Sequence, residues 1–109
     1  AIVCAEAVAA GDRAWLLAEL ESSGREVLRI NFSQMRRFAG NALEMRTVSG
    51  QRALIMSASA RASLDRTLAQ RLESSVDLLV EVDIPVIESV GGGSVRCMLA
   101  EVFLPRSRN

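Results

Sequence analysis

The feature that most constrains this chain is that it repeats itself at an offset of 52 residues. Ile2-Val3-Cys4-Ala5 is echoed by Leu54-Ile55-Met56-Ser57, and Leu16, Leu20, Glu21, Ser22 and Ser23 by Leu68, Leu72, Glu73, Ser74 and Ser75. Val27-Leu28 returns as Leu79-Val80. Each stretch reads as a short β-prone run, an amphipathic segment and a second apolar run, at Glu26–Ile30 and Val76–Val82. In the first segment Trp15, Leu16 and Leu20 follow helical spacing, with Asp12 as N-cap, Gly24 as stop and Trp15 turned toward the sheet. In the second, Leu64, Leu68 and Leu72 recur at every fourth position of one helical face. A further strand is predicted to close each unit, Ala42-Leu43-Glu44-Met45 in the first and Met98–Leu104 in the second. Aligning those strands sets Asn41 opposite Cys97, an offset of 56 because the second connection is longer. The units run roughly over 1–52 and 53–109.

A period near ~50 residues with strands and one helix per unit predicts a propeller or another pseudo-symmetric α/β array. The alternative is two unrelated strand–helix–strand stretches, and the Leu-Glu-Ser-Ser match weighs against it. Two units are too few to close a ring and would leave sheet edges unpaired. The chain also opens, at Ala1-Ile2-Val3-Cys4, inside a strand pattern. The expectation is therefore a C-terminal piece, completed by missing upstream units or by self-association.

Composition excludes several function classes. Thirteen arginines and no lysine oppose 13 acidic residues, so the formal charge is zero, against the basic excess of a general nucleic-acid or membrane-surface binder. No apolar stretch approaches the ~20 residues of a membrane span, no charged-then-apolar leader is present, and a cytoplasmic location is expected. Two cysteines 93 positions apart make neither a disulfide framework nor a zinc site. The chain has no histidine, so any mechanism that needs an imidazole is incomplete within these residues.

Chemistry is concentrated in Ile84–Met98. Gly91-Gly92-Gly93 permits backbone conformations closed to other residues and close approach of a ligand to the main chain. Cys97 follows, at the expected start of a strand and beside Arg96. Amides of the glycine loop and a neighbouring cation both favour thiolate over thiol, making Cys97 a candidate nucleophile. The competing reading is a buried free cysteine behind a flexible loop. A phosphate-binding loop is not supported, because no Gly-Lys-Ser/Thr follows the glycines.

The run Gly91-Gly92-Gly93-Ser94-Val95-Arg96-Cys97-Met98-Leu99-Ala100-Glu101-Val102-Phe103-Leu104-Pro105 resembles the C-terminal nucleophile motif of the pentein, or guanidino-group-modifying, superfamily. Within it the segment is most similar to the arginine deiminase-related group that includes citrulline hydrolases. Phe38-Ala39-Gly40-Asn41-Ala42-Leu43-Glu44-Met45 resembles that group's second signature, and Ala53 through Ile87 is similar as well. The resemblance implies a pentein-type α/β propeller of five ββαβ units, of which this chain would hold about two. It implies that Cys97 attacks the central carbon of a guanidino or ureido group, that ammonia or an amine leaves, and that water releases the intermediate. A histidine expected just upstream of Ala1 would move protons, and carboxylates would hold the substrate's N–H donors. Asn41 and Gly40, together with Gly92, Gly93, Ser94 and Arg96, are the expected substrate-binding residues. For Asn41 an ordinary turn role is the competing reading, and Gly40 is expected to permit a tight approach to the central channel.

The implied substrates are citrulline, arginine or a methylated arginine, with no metal or organic cofactor. An amidinotransferase and a non-catalytic pentein relative acting as a binding or assembly module are the alternatives. Arg36-Arg37 read as a solvated pair at a helix end, Cys4 as core, Glu88 as a solvated loop carboxylate, and Glu101 as a strand residue without a role.

Overall fold

A computed structural model describes residues 1–102. Two parallel strand–helix–strand units are present, as the repeat predicts. In the first, β1 (Ile2–Val3) and β2 (Leu28–Arg29) flank α1 (Arg13–Ser22), and Ile2 faces Leu28. In the second, β4 (Arg52–Ser57) and β5 (Leu78–Val82) flank α3 (Ala58–Ser63) and α4 (Arg66–Ser74). There Leu54 faces Leu79, so the parallel register falls one residue short of the 52-residue sequence offset. Strand β3 (Leu43–Arg46), expected to close the first unit, instead pairs antiparallel with β4, giving a three-stranded sheet in the order β3-β4-β5. The hydrogen-bonded unit is thus β3-β4-α3/α4-β5, and the boundary placed near residue 52 falls within its hairpin.

Local chemistry explains the helices. The Asp65 carboxylate accepts from the Leu68 N–H at 2.9 Å and starts α4, while Ser57 caps α3 by accepting from the Ala60 N–H at 3.1 Å. Leu64 lies in the joint between these two helices rather than on one continuous helix, although Leu64, Leu68 and Leu72 all turn to the same core. Asp12 occupies the N-cap position of α1 without a side-chain capping bond, and Gly24, at φ +75°, ends that helix as predicted. The helix whose end Arg36-Arg37 marks, α2 (Phe32–Arg36), is built on a reciprocal capping box in which Asn31 and Gln34 each accept from the other's backbone N–H at 2.9 Å.

The core joins the two units. Leu28 from β2, Leu54 and Met56 from β4, Ala60 from α3 and Leu72 from α4 are buried together, and each large side chain contributes about 1.5–3 kcal/mol by leaving water. Helix α4 lies across β2, and Arg71 reaches from it to the Glu26 carboxylate at 2.7 Å. Cys4 is buried with Ile30 and Ala39, as expected of a core residue. Trp15 is a correction. Its helix α1 buries no residue and the indole is 66% exposed, because spacing marks an apolar stripe without saying what covers it. Among the described residues no helix is long and apolar enough to cross a membrane.

Candidate active site

Beyond β5 the chain turns through Ile84-Pro85 into a wide helical turn at Ile87–Gly91, and Gly92 then takes φ +66°, a left-handed conformation that favours glycine. Ser94 follows in extended conformation, and α5 (Val95–Met98) begins. The expected strand at Met98–Leu104 is not formed among the described residues. Met98 ends α5, Leu99 to Val102 join no ladder, and 103–104 lie outside the described residues. Cys97 therefore sits on a helical turn rather than at the head of a strand. Two buried side chains, Ser94 and Val95, seat that turn, and α5 packs on the central strand β4. Cys97 itself is exposed, which removes the reading of a buried inert thiol.

The second half of the site comes from the segment joining α2 to β3. Phe38 holds φ +63°, a conformation costly for a bulky side chain, and its carbonyl accepts from the Asn41 N–H at 2.8 Å. The chain is thereby wound so that Asn41 faces α5. The Asn41 side-chain oxygen accepts from the Arg96 backbone N–H at 2.9 Å, while its amide nitrogen donates to Cys97 Sγ at 3.2 Å. The Arg96 guanidinium closes the seam on the Ala42 carbonyl at 3.3 Å. The two residues that the repeat sets opposite each other are in direct contact.

This arrangement acidifies the thiol. The Asn41 N–H on the sulfur is the foremost cause, followed by backbone hydrogen bonding at Ser94; what desolvation there is opposes the shift, and the Arg96 charge assists it. The net effect holds the Cys97 thiol below the usual range, so the nucleophilic thiolate is more populated at neutral pH. The sequence reading credited the glycine loop and Arg96, whereas the leading contribution comes from Asn41.

The remaining expected site residues divide. A Cβ added at Gly93 would lie 3.2 Å from both Cβ and Sγ of Cys97, so the close approach there is to the cysteine side chain. Gly92 supplies the left-handed turn, with open space around it. Gly40 is surface-exposed, and a Cβ on it would meet Ile30 Cδ1 at an ordinary 3.7 Å, so packing alone does not demand glycine. Gly40, Asn41, Arg96, Phe38 and Met35 line an open cleft of about 360 Å³, and Cys97 adjoins it through Asn41 rather than lining it. Ser94 is fully buried with its hydroxyl donated to Glu88 at 2.6 Å, so in this arrangement it has no surface to offer a substrate.

Glu88 is a further correction. Rather than a solvated carboxylate, it is half-buried and accepts from Ser59 at 2.5 Å as well as from Ser94. Desolvation works against its charge. The hydroxyls of Ser57, Ser59 and Ser94, with Arg37 nearby, more than compensate and hold its carboxyl below the ordinary range. Nothing in the spacing of Ser57 and Ser59 links them to a loop 29 residues on; the one available signal was a pair of small hydroxyl residues where a buried strand gives way to a helix. Arg36 and Arg37 are exposed at the end of α2, as read. Among the described residues no group of three or more His, Cys, Asp or Glu side chains is arranged to hold a metal ion.

No curated protein and no solved structure matches the chain significantly. A family model does, the one described as "N,N dimethylarginine dimethylhydrolase, eukaryotic", over residues 1–104, a span that includes both Asn41 and Cys97. The chain belongs to the dimethylarginine dimethylhydrolase family, within the pentein superfamily of guanidino-modifying enzymes.

Proposed function

We propose that this chain carries the nucleophile of an enzyme that hydrolyses a C–N bond of a methylated guanidino compound, N,N-dimethylarginine being the substrate the family description suggests. The observation that carries this reading is the exposed Cys97 sulfur with the Asn41 N–H directed onto it. In the proposed reaction the thiolate attacks the central guanidino carbon and a C–S bond forms. The C–N bond to the dimethylated nitrogen breaks, and dimethylamine departs once that nitrogen is protonated. Water then adds to the same carbon, loses a proton and displaces the sulfur, leaving a ureido product and regenerating the thiolate. A planar, delocalised cation with several N–H donors suits a site that pairs an anionic sulfur with acceptor groups.

Both proton transfers need a group that the 109 residues do not contain as histidine. The proton relay, the substrate-holding carboxylates and the other ββαβ units of a five-unit ring are therefore proposed to come from outside these residues. The absence of histidine is also what favours the second reading, a non-catalytic binding or assembly module. The deciding experiment incubates the full-length protein that carries this chain with N,N-dimethylarginine and follows the ureido product. Turnover that vanishes in Cys97→Ser with the fold intact is the expected result. Turnover retained in that variant refutes the nucleophile role, and no turnover in the parent favours the binding module.

A further inference from the structure

We infer that Glu88 is the positioning residue that sets the Cys97 turn against Asn41, acting through Ser94. This rests on Cys97 as the nucleophile and adds a residue to which no catalytic part has been given.

The carboxylate is used at both ends. One oxygen accepts from Ser59, in the first turn of α3 where it leaves the central strand β4, at 2.5 Å. The other accepts from Ser94 at 2.6 Å, immediately before the turn that bears the nucleophile. The Ser94 carbonyl in turn accepts from the Cys97 N–H at 3.0 Å. A path of three hydrogen bonds, linked through Ser94 itself, thus runs from the start of α3 to the backbone of Cys97. Ser57, whose hydroxyl lies 3.3 Å from that of Ser59, is fully buried at the end of β4 and fixes the far end.

The loop has few other means of holding its place. Val86 and Val90 are exposed, and the chain between β5 and Ser94 contributes no buried residue. Val95 is the one apolar anchor of α5. Without the carboxylate, the Ser94 hydroxyl is buried without an acceptor, and the turn is free to drift from Asn41. An ionised carboxylate suits this task because it accepts from two hydroxyls at once, whereas a neutral acid must donate one proton of its own.

The test uses the full-length protein with Glu88→Ala, Glu88→Gln, Ser94→Ala and Cys97→Ser. Two readouts are taken: hydrolysis of N,N-dimethylarginine, and the pH midpoint of iodoacetamide alkylation at Cys97, located by peptide mass spectrometry so that Cys4 is counted separately. Glu88→Ala and Ser94→Ala are expected to raise the alkylation midpoint toward an ordinary thiol and to slow turnover by ~10–100-fold, the order expected when a reacting group is displaced by a fraction of an ångström to an ångström. Glu88→Gln, which can still bridge both serines, recovers part of each. The Glu88→Ala/Ser94→Ala double variant is no worse than Glu88→Ala alone, because the Ser94–Glu88 contact is already lost in the single variant. A merely structural role lowers the unfolding midpoint but leaves the thiol titration of the folded protein unchanged, and that result overturns the inference. If Glu88→Ala does not fold, Ser94→Ala decides, since it deletes the hydroxyl alone. Turnover retained in Cys97→Ser condemns the nucleophile reading, while the titration shift still reports on Glu88.

Discussion

The three consecutive glycines carry unequal tasks, and substitution separates them. A methyl group at position 93 lands 3.2 Å from Cβ and Sγ of Cys97, where comfortable carbon contacts begin at about 3.5–4.0 Å. The neighbour must retreat by roughly 0.3–0.8 Å, and the exposed cysteine side chain can do so at little cost to the fold. The Asn41-to-sulfur hydrogen bond, a close 3.2 Å for a sulfur acceptor, is lengthened and weakened as the sulfur retreats. Gly93→Ala is therefore expected to keep the unfolding midpoint and lose about tenfold in turnover, scaled from the ~100-fold that a full ångström of misplacement can cost. Gly92→Ala should do the reverse. Nothing lies within 4 Å of the added atom, but the residue is held at φ +66°, a conformation that costs about 1–2 kcal/mol in a residue with a side chain. Its effect belongs in denaturant unfolding, with thiol reactivity of the folded protein preserved. Gly91→Ala, which meets only Ile87 Cγ2 at 4.0 Å and is not held at positive φ, should be near neutral in both assays. The reasoning is refuted if Gly93→Ala turns over within twofold of the parent, or if its loss of activity merely tracks a loss of stability.

Asn41→Ala deletes the leading cause of thiol acidity, so the pH midpoint for alkylation of Cys97 should rise and its rate at neutral pH fall, with Cys4 unaffected; an unchanged midpoint contradicts the assignment. Glu88 has a depressed pKa, so the stability it lends is fully present above the ordinary glutamate range and is lost as pH falls through its own lower value. Glu88→Gln should thus flatten the acid limb of a stability–pH curve, and an identical limb in both proteins speaks against that coupling. Met56→Ala, at a fully buried position in the central strand, should cost about 2–5 kcal/mol in chemical denaturation, and a value well under 1 kcal/mol would mean that the core is not packed as described.

Much of the architecture was legible because strand–helix–strand units announce themselves through periodicity. The echo of Ile2–Ala5 at Leu54–Ser57 locates two parallel pairings, and the alignment of Asn41 with Cys97 anticipates a contact between residues 56 apart. Periodicity carries no information about partners, however. Ala42–Met45 reads as a strand on either side of a unit boundary, and only pairing shows that it joins β4. The run from Met98 is as apolar as any strand here, yet a strand exists only where a neighbour accepts its hydrogen bonds, and Leu99 to Val102 have none among the described residues. Capping is local: Asn31 and Gln34 stand three residues apart, the spacing of a capping box, ahead of the helix end that Arg36-Arg37 mark. Glu88 was misread for the opposite reason, since its partners Ser57 and Ser59 belong to another element and no local pattern points to them.

The contact between Asn41 and Cys97 spans more than half of the chain, with every strand of the three-stranded sheet threaded between the two residues. The acidity of the Cys97 thiol is consequently a non-local property, present only once the segments before and after the sheet have been brought together. A partly melted molecule would keep its cysteine and lose its acidity, so the site switches itself off in any species whose sheet has opened. Thiol reactivity measured along a denaturation curve would then trace the cooperativity of the sheet itself.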